Sequence, residues 1–416
     1  MKINKGLFNY IGLNSISLII PIITTPIIAN LYGSEVYGKY SVSLALLSLL
    51  SILSTGKFEN ALSIPKSNRE ASNILKIGLI YLALFSLFLS ITLVFLSFVN
   101  LHKYNYLKSV FILLPFMIFI NGCNNIFQFF RNRKRDFNKI SFSNITNTFS
   151  QAFLNISFYY SFGSSFILLI LNSFLSSSLK LTFLFSKKEV SIITTNFIQG
   201  IRETFIKYKD FIFKLTPSSF LNTLSSSSLL LLFSYFYDIK TTATIAIIMR
   251  IGSLPTNLIT KSLGDYFRQD ISDGFQEKKL IEFYKKLIRK IFVFTLLPFI
   301  LLYINIDLLS SLVFNNEWNN LGVFLKILAF SFYFKFLFSA LPSIIIQISK
   351  KLKIDMYWQI SLMITSSLSI YLGYKIFNDP KFSVFFYSVT YISHYLISYL
   401  ISIKIIKQNE NNISFN

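Results

Sequence analysis

Long apolar runs recur along the whole chain, and short polar segments separate them. Each run is close to twenty residues long, the length at which an α-helix crosses the hydrocarbon layer of a membrane. The pattern therefore predicts an all-α polytopic membrane protein with about 12 transmembrane helices. The predicted spans are 7–30, 38–55, 77–99, 109–130, 140–161, 165–186, 215–235, 241–260, 291–306, 321–347, 356–374 and 383–403.

Basic residues collect in alternate gaps between these spans. The chain has 40 Lys and Arg against 18 Asp and Glu, a net charge of +22. Cytoplasmic loops of membrane proteins carry such an excess, so both termini are predicted to be cytoplasmic. The outer gaps then hold only Lys39, Lys103, Lys108, Lys240, Lys326, Lys375 and Lys381. This pattern indicates that the positive charge sets the orientation of the helices and contacts anionic membrane lipids. It disfavours a nucleic-acid partner.

Two inner segments, 197–212 and 280–291, have apolar residues at helical spacing among basic ones. They are interpreted either as amphipathic helices in the membrane interface or as inward extensions of the neighbouring spans.

The chain also resembles itself at an offset of half its length. Segments 31–38 and 236–243 follow the first and seventh spans, and each combines Tyr with turn-forming residues. An even number of spans in each half gives a parallel repeat. This predicts an N-terminal six-helix lobe at 1–190, an amphipathic cytoplasmic linker at 191–214 and a C-terminal six-helix lobe at 215–416.

Ionisable residues at membrane depth are candidates for function because an unpaired charge is costly there. Arg250 lies near the middle of the eighth span and Lys335 near the middle of the tenth, whereas Lys180 lies toward the inner end of the sixth. Arg250 and Lys335 could instead form structural ion pairs or helix-end contacts. The Lys180 side chain could instead extend along the helix to place its ammonium among the lipid headgroups. No carboxylate falls at a span midpoint, and Glu59 comes nearest. Interior positive charge suits an anionic substrate such as a phosphate or pyrophosphate.

Amide side chains within spans suggest a polar lumen. The candidates are Asn124, Asn125 and Gln128 in the fourth span. These amides would contact sugars, or they would form hydrogen bonds between helices. Because Arg250 and Lys335 both lie in the second half, we expect that half to hold a pyrophosphate and the first half to contact sugar.

Catalytic patterns are absent from the sequence. It has no Gly-rich phosphate loop, the longest outer gap (305–322) has no histidine, and the single cysteine, Cys123, lies within a span. No catalytic residue, metal site or cofactor is therefore predicted, and an enzyme is disfavoured.

Several ordered segments resemble one family of membrane proteins. They are 5–7 (KGL), 31–40 (LYGSEVYGKY), 56–61 (GKFENA), 208–211 (YKDF), 217–218 (PS), 250–255 (RIGSLP) and 313–318 (VFNNEW). The chain is similar to the Wzx-type O-antigen and capsule repeat-unit flippases, which are polysaccharide biosynthesis membrane proteins of the multidrug/oligosaccharidyl-lipid/polysaccharide (MOP) exporter superfamily. The 56–61 motif adds Lys57 and Glu59 to the candidate substrate-binding residues.

The resemblance implies a MATE-like fold of two six-helix lobes around a central cavity. It further implies an undecaprenyl-pyrophosphate-linked oligosaccharide as cargo, moved by alternating access across a bacterial inner membrane, with a polysaccharide polymerase among the assembly partners. Two alternatives remain: a multidrug exporter of the same fold, disfavoured by the missing midspan carboxylate, and a glycan-assembly enzyme such as a polymerase, disfavoured by the short outer gaps.

Overall fold

The computed structural model describes residues 5–62, 64–65, 67–185, 200–253, 280–318, 320–349 and 351–413, which are almost entirely helical. A helix lies at each of the predicted spans, which confirms the all-α membrane fold class. Among these described residues, eight helices are long and apolar enough to cross a membrane, judged by length and composition. The predicted linker is described only from residue 200 onward, and the eighth span only as far as 253.

The chain divides into two compact units, Met1–Thr223 and Leu224–Asn416. The first unit opens with α1 (Lys5–Ser54), whose helix is interrupted only at Gly33, with φ 76° and ψ 166°. The predicted outer gap at 31–37 is therefore a kink rather than a loop. Glycine adopts a positive φ without a steric penalty, so one residue redirects the chain. The polar residues that suggested a loop instead pair along the helix, as Lys39 does with Glu35.

Five more α-helices follow α1 in the first unit. They are α2 (Phe58–Ala61), α3 (Asn68–Ser97), α4 (Leu113–Arg133), α5 (Phe137–Phe162) and α6 (Phe166–Leu184). α4 packs against both α3 and α6, and α1 packs against α5. A Cβ added at Gly122 would overlap Leu82, and one at Gly78 would lie 3.3 Å from Ile126. These two glycines let α3 and α4 approach closely, as small residues do between membrane helices.

A short amphipathic helix, α7 (Ile201–Tyr208), packs against α3. Tyr208 is buried, and both it and Lys207 donate hydrogen bonds to Glu70 in the first turn of α3. The bond to Glu70 raises the pKa of Lys207 above its ordinary value. A helix at 201–208 agrees with the predicted amphipathic segment 197–212, whose first three residues lie outside the described ranges. A π-type turn (Phe211–Leu215) then leads into α8 (Thr216–Phe236).

The second unit begins within α8 and contains the remaining helices. They are α9 (239–253), α10 (Leu280–Ile304), α11 (Ile306–Val313), α12 (Leu321–Phe338), α13 (Ala340–Ile348), α14 (Leu352–Phe377) and α15 (Pro380–Ile413). Because α10 runs unbroken from residue 280, segment 280–291 is an extension of the helix that forms the ninth predicted span. The tenth predicted span, 321–347, divides at Ser339 into α12 and α13.

The last two helices form a tight hairpin. A Cβ added at Gly373 would lie 2.6 Å from the Ser383 Cα and 2.7 Å from its backbone nitrogen. Ser383 also donates its hydroxyl hydrogen to the Ile370 carbonyl at 2.9 Å. The absence of a side chain at Gly373 therefore sets the distance between α14 and α15.

Candidate functional site

α4 exposes a row of amide side chains along one face. Asn121, Asn125, Gln128 and Asn132 follow one another at intervals of four, three and four residues, so they share a face. Asn125 and Asn132 are exposed, while Asn121 and Gln128 are half-buried. We call these four residues the amide stripe.

Lipid is a poor environment for such a stripe, because unsatisfied amides in hydrocarbon are costly. The opposite side of α4 instead exposes apolar groups, with Phe116 60% exposed and Phe119 37% exposed. The helix thus has an apolar face suited to lipid and a separate polar face suited to water or a polar ligand.

The structure separates the amides that the sequence grouped together. Asn124 is buried, and its Nδ2 donates a hydrogen bond to the Ser177 carbonyl on α6 at 2.8 Å. Asn125, the next residue, lies on the amide stripe instead. Lys180, also on α6, donates from Nζ to Gln128 Oε1 at 3.0 Å. Lys180 therefore adds a positive charge beside the stripe, and Asn124 fastens α4 to α6.

Lys57 and Glu59 lie in a sharp turn after α1. Gly56 and Lys57 have φ values of 55° and 56°, so two consecutive residues are left-handed and the chain reverses abruptly. The turn buries Glu59, which is 3% exposed and is the one buried acidic side chain among the described residues. Its Oε1 lies 3.8 Å from Lys57 Nζ, and its Oε2 accepts no hydrogen bond from any described group. A buried carboxylate with one free oxygen is a candidate for binding a ligand or a proton.

Two basic residues in the last turn of α4 are occupied by contacts within the first unit. Arg131 is buried, and its Nε donates to the Leu184 carbonyl at 2.9 Å, while Nη1 lies 3.4 Å from Asp136 Oδ2. Arg133 donates to the Leu62 carbonyl and to other carbonyls between α2 and α3. These guanidinium groups tie the end of α4 to the neighbouring ends of α2, α3, α5 and α6.

Arg250 and Lys335 lie on neighbouring helices of the second unit. Gly252 on α9 abuts the ring of Phe332 on α12, where an added Cβ would overlap it. Phe332 and Lys335 are three residues apart and share a face of α12. Arg250 is two residues before Gly252, so its side chain leaves α9 on a different face from the one that meets Phe332. Both cations are half-buried. The packing therefore brings the two cation-bearing helix segments side by side.

Lys335 is closer to a helix end than the sequence predicted. It lies in the last turn of α12, where its carbonyl accepts a hydrogen bond from Ser339 N at 3.0 Å. A cation there is favoured by the partial negative charge of the helix C-terminus. A lysine at this position therefore has a structural explanation in addition to the predicted role in substrate binding.

His394 is a buried ionisable residue that the sequence analysis did not select. It lies at the midpoint of the candidate span Pro380–Gln408 and is 8% exposed. Its Nδ1 lies 3.0 Å from the Thr390 carbonyl, so that nitrogen carries the proton, and Nε2 lies 3.2 Å from Ser361 Oγ. The depth criterion that selected Arg250 would have found it. Since both ring nitrogens are paired within the unit, we assign it to helix packing.

Chelating groups are sparse in the part of the chain that the structure describes. Within those ranges, no three His, Cys, Asp or Glu residues come together in a way that would hold a metal ion.

Comparisons with known proteins agree with the helical arrangement. A family model described as polysaccharide biosynthesis protein matches residues 3–264. No curated protein matches the sequence. Among solved structures, the lipid II flippase MurJ in an inward closed conformation has 13% identity and a TM-score of 0.77, over 97% of this chain and 90% of that one.

Two further structures are similar. One is a multidrug resistance MATE family transporter of the MOP superfamily in an inward-facing conformation, with 15% identity and a TM-score of 0.71 over 99% of this chain and 97% of that one. The other, a MOP superfamily transporter from Pyrococcus furiosus, has 14% identity and a TM-score of 0.58 over 96% of each chain. These likenesses establish the fold, and the family model covers most of the chain. The chain is therefore a multi-pass membrane protein with the MOP transporter fold and belongs to the polysaccharide biosynthesis protein family.

Proposed function

We propose that the protein is a flippase for undecaprenyl-pyrophosphate-linked oligosaccharide repeat units in a bacterial inner membrane, with both termini in the cytoplasm. It would supply repeat units for O-antigen or capsular polysaccharide, handing them to a polysaccharide polymerase on the outer side. Transport would proceed by alternating access between the predicted lobes 1–190 and 215–416. Membership of the polysaccharide biosynthesis family supports a glycan cargo.

The amide stripe carries the proposal. Amides both donate and accept hydrogen bonds, as sugar hydroxyls do, and the row from Asn121 to Asn132 extends about 16 Å along α4. That length accommodates several sugar rings in sequence. A transporter for apolar drugs has no use for such a row on a membrane helix, whereas a glycan has hydroxyls for each amide.

In this proposal the half-buried cations of the second unit bind the charged end of the cargo. Arg250 would bind the pyrophosphate through its planar guanidinium, and Lys335 would add a point charge from the adjacent helix. The first unit would contact the sugars through Asn125 and Gln128. Lys180 would hold Gln128 in orientation through the bond between them.

A cation-coupled multidrug exporter is the second candidate, and one observation favours it. Glu59 is a buried carboxylate with an oxygen that makes no hydrogen bond to the described residues, as a coupling site requires. The neighbouring Lys57 ammonium, however, competes with a coupling cation for that carboxylate. The stripe and the Arg250 region have no role in this alternative.

Cells that lack the protein distinguish these functions. A flippase defect accumulates single lipid-linked repeat units on the cytoplasmic face, whereas loss of a polymerase accumulates them on the outer face. Drug sensitivity with normal surface glycan would indicate an exporter. Only the first result supports the proposal.

Arg250→Ala tests the proposed pyrophosphate contact. We expect glycan export to fall sharply while the protein still folds and inserts, because the charge-assisted bonds to phosphate are lost. Arg250→Lys should export more than the alanine variant because the charge remains. Arg289→Ala removes an exposed arginine from α10 and is the matched control. Normal export by Arg250→Ala at matched expression would refute the assignment.

A further inference from the structure

A small polar cavity lies at the end of the second unit that is predicted to face outward. It has a volume of about 270 Å³, is partly open at the protein surface, and is bounded by α11, the following 3-10 turn (Asn316–Trp318) and the start of α12. Its polar lining consists of Asp307, Ser310, Ser311, Asn315 and Asn316. The set offers a carboxylate, hydroxyls and amides, and so it combines donors with acceptors.

Two aromatic residues form a firm wall for this cavity. Phe314 and Trp318 pack with their ring centroids 6.1 Å apart, and both are buried. Trp318 N donates to the Asn315 carbonyl at 3.0 Å, which holds the turn in place. An apolar wall beside convergent polar groups is the usual composition of a small-molecule site.

A glycine keeps the space beside the carboxylate open. A Cβ added at Gly322 would lie 2.9 Å from Asp307 Oδ1 and 3.1 Å from Ser310 Oγ. A larger residue would have to displace these two side chains, and all three positions line the cavity. The cavity thus depends on a specific small residue at the first turn of α12.

The charge balance of the cavity favours a neutral ligand. Lys326 pairs with Asp307 Oδ2, so the carboxylate is already neutralised and is a weak ligand for a free cation. An anion would in turn have to compete with Asp307 for the same ammonium. Hydroxyl groups have no such conflict, because they donate to Asp307 Oδ1 and exchange hydrogen bonds with the amides.

We propose that this cavity binds one pyranose ring of the glycan after it reaches the outer side. The volume lies just below the usual range for drug-sized ligands, which suits a single sugar rather than a longer oligosaccharide. The ring would place its C–H face against the aromatic wall and its hydroxyls on Asp307 and Asn316. That the bound sugar belongs to the transported glycan rests on the proposed function. That the cavity binds a sugar ring is argued from its lining residues alone.

Tryptophan fluorescence of the full-length purified protein tests the proposal. The chain has two tryptophans, so Trp358→Phe leaves Trp318 as the single reporter inside the cavity wall. The probes are free glucose, galactose, rhamnose, N-acetylglucosamine and N-acetylgalactosamine at millimolar concentrations, with mannitol as an acyclic control. We expect at least one ring sugar, and not mannitol, to change the Trp318 emission saturably.

Variants in the same background locate the binding. Gly322→Ala should weaken it about tenfold, and Asn316→Ala should weaken it several-fold through the loss of one hydrogen bond. Asn320→Ala is the matched control, because this exposed amide of the same loop does not line the cavity and makes no capping hydrogen bond. Gly322→Ala displaces only side-chain ends, so the protein should elute as the parent does in size exclusion.

Three results would overturn the proposal. The first is that no sugar gives a saturable response, and the second is that the Gly322→Ala variant binds sugar as tightly as the parent. The third is that only calcium chloride or inorganic phosphate gives a saturable response, and that Gly322→Ala abolishes it. The titration needs neither transport nor pyrophosphate. If the Arg250→Ala variant exports normally, the proposed pyrophosphate contact is wrong, but a positive sugar titration still supports the cavity. If instead export depends on Arg250 and the titration shows no response, only the proposed sugar site is overturned.

Discussion

Neighbouring amides on α4 should respond to the same substitution in opposite ways. Asn124→Ala removes the 2.8 Å hydrogen bond to the Ser177 carbonyl, whereas Asn125→Ala removes an exposed side chain from the amide stripe. The first change should lower the stability of the protein and preserve export. The second should preserve stability and reduce export.

The magnitudes follow from the contacts of each side chain. A hydrogen bond between membrane helices contributes about 0.6–1.7 kcal/mol, and the small void left by Asn124 adds about 1 kcal/mol. Asn124 Oδ1 is buried without a hydrogen bond to the described residues, so its removal recovers part of that loss. We expect a net cost of about 1–2 kcal/mol. Asn125→Ala should change stability by less than about 0.5 kcal/mol, because the side chain is exposed.

Two measurements separate these effects. Thermal unfolding of the purified proteins in detergent should show a lower Tm, by a few degrees, for Asn124→Ala alone. Surface glycan, measured in cells at matched protein levels, should fall several-fold for Asn125→Ala, as the loss of one hydrogen bond to the cargo predicts. Unfolding at a lower temperature for Asn125→Ala, or loss of export by Asn124→Ala with unchanged Tm, would refute the division of α4 into a packing face and a substrate face.

Two further predictions concern the hairpin and the topology. Gly373→Ala should destabilise the second unit by about 1–3 kcal/mol, because the backbone of Ser383 cannot yield as a flexible side chain does, and thermal unfolding of the variant measures this. Cysteines introduced into the basic turn 131–139 should be labelled by a membrane-impermeant reagent only after the cells are opened. Labelling in intact cells would reverse the predicted orientation.

The span positions could be predicted from the sequence because they depend on local physics. A run of about twenty apolar residues must be helical in a bilayer, since no water is present to satisfy its backbone. The gap at 31–37 was misjudged for the same local reason. Polar residues there looked like a loop, whereas in the folded chain two helices meet at Gly33 and only that residue departs from helical geometry.

The candidate site was predictable in its residue types and not in its arrangement. Composition and depth selected Arg250, Lys335 and the amides of the fourth span. They could not show that Asn124 and Asn125 point to different neighbours, because a helix separates adjacent residues by about 100° and only the position of α6 decides which one is buried.

The sequence by itself determined the class of the protein, the position of its helices and the type of chemistry available inside the membrane. Each of these follows from hydrophobicity and charge along a few consecutive turns. Tertiary structure alone decided that Gly252 brings the Arg250 segment beside α12, and that Gly322 leaves a cavity open against Asp307. Such contacts join residues whose spacing along the chain carries no periodic signal, so they become visible only when the helices are packed.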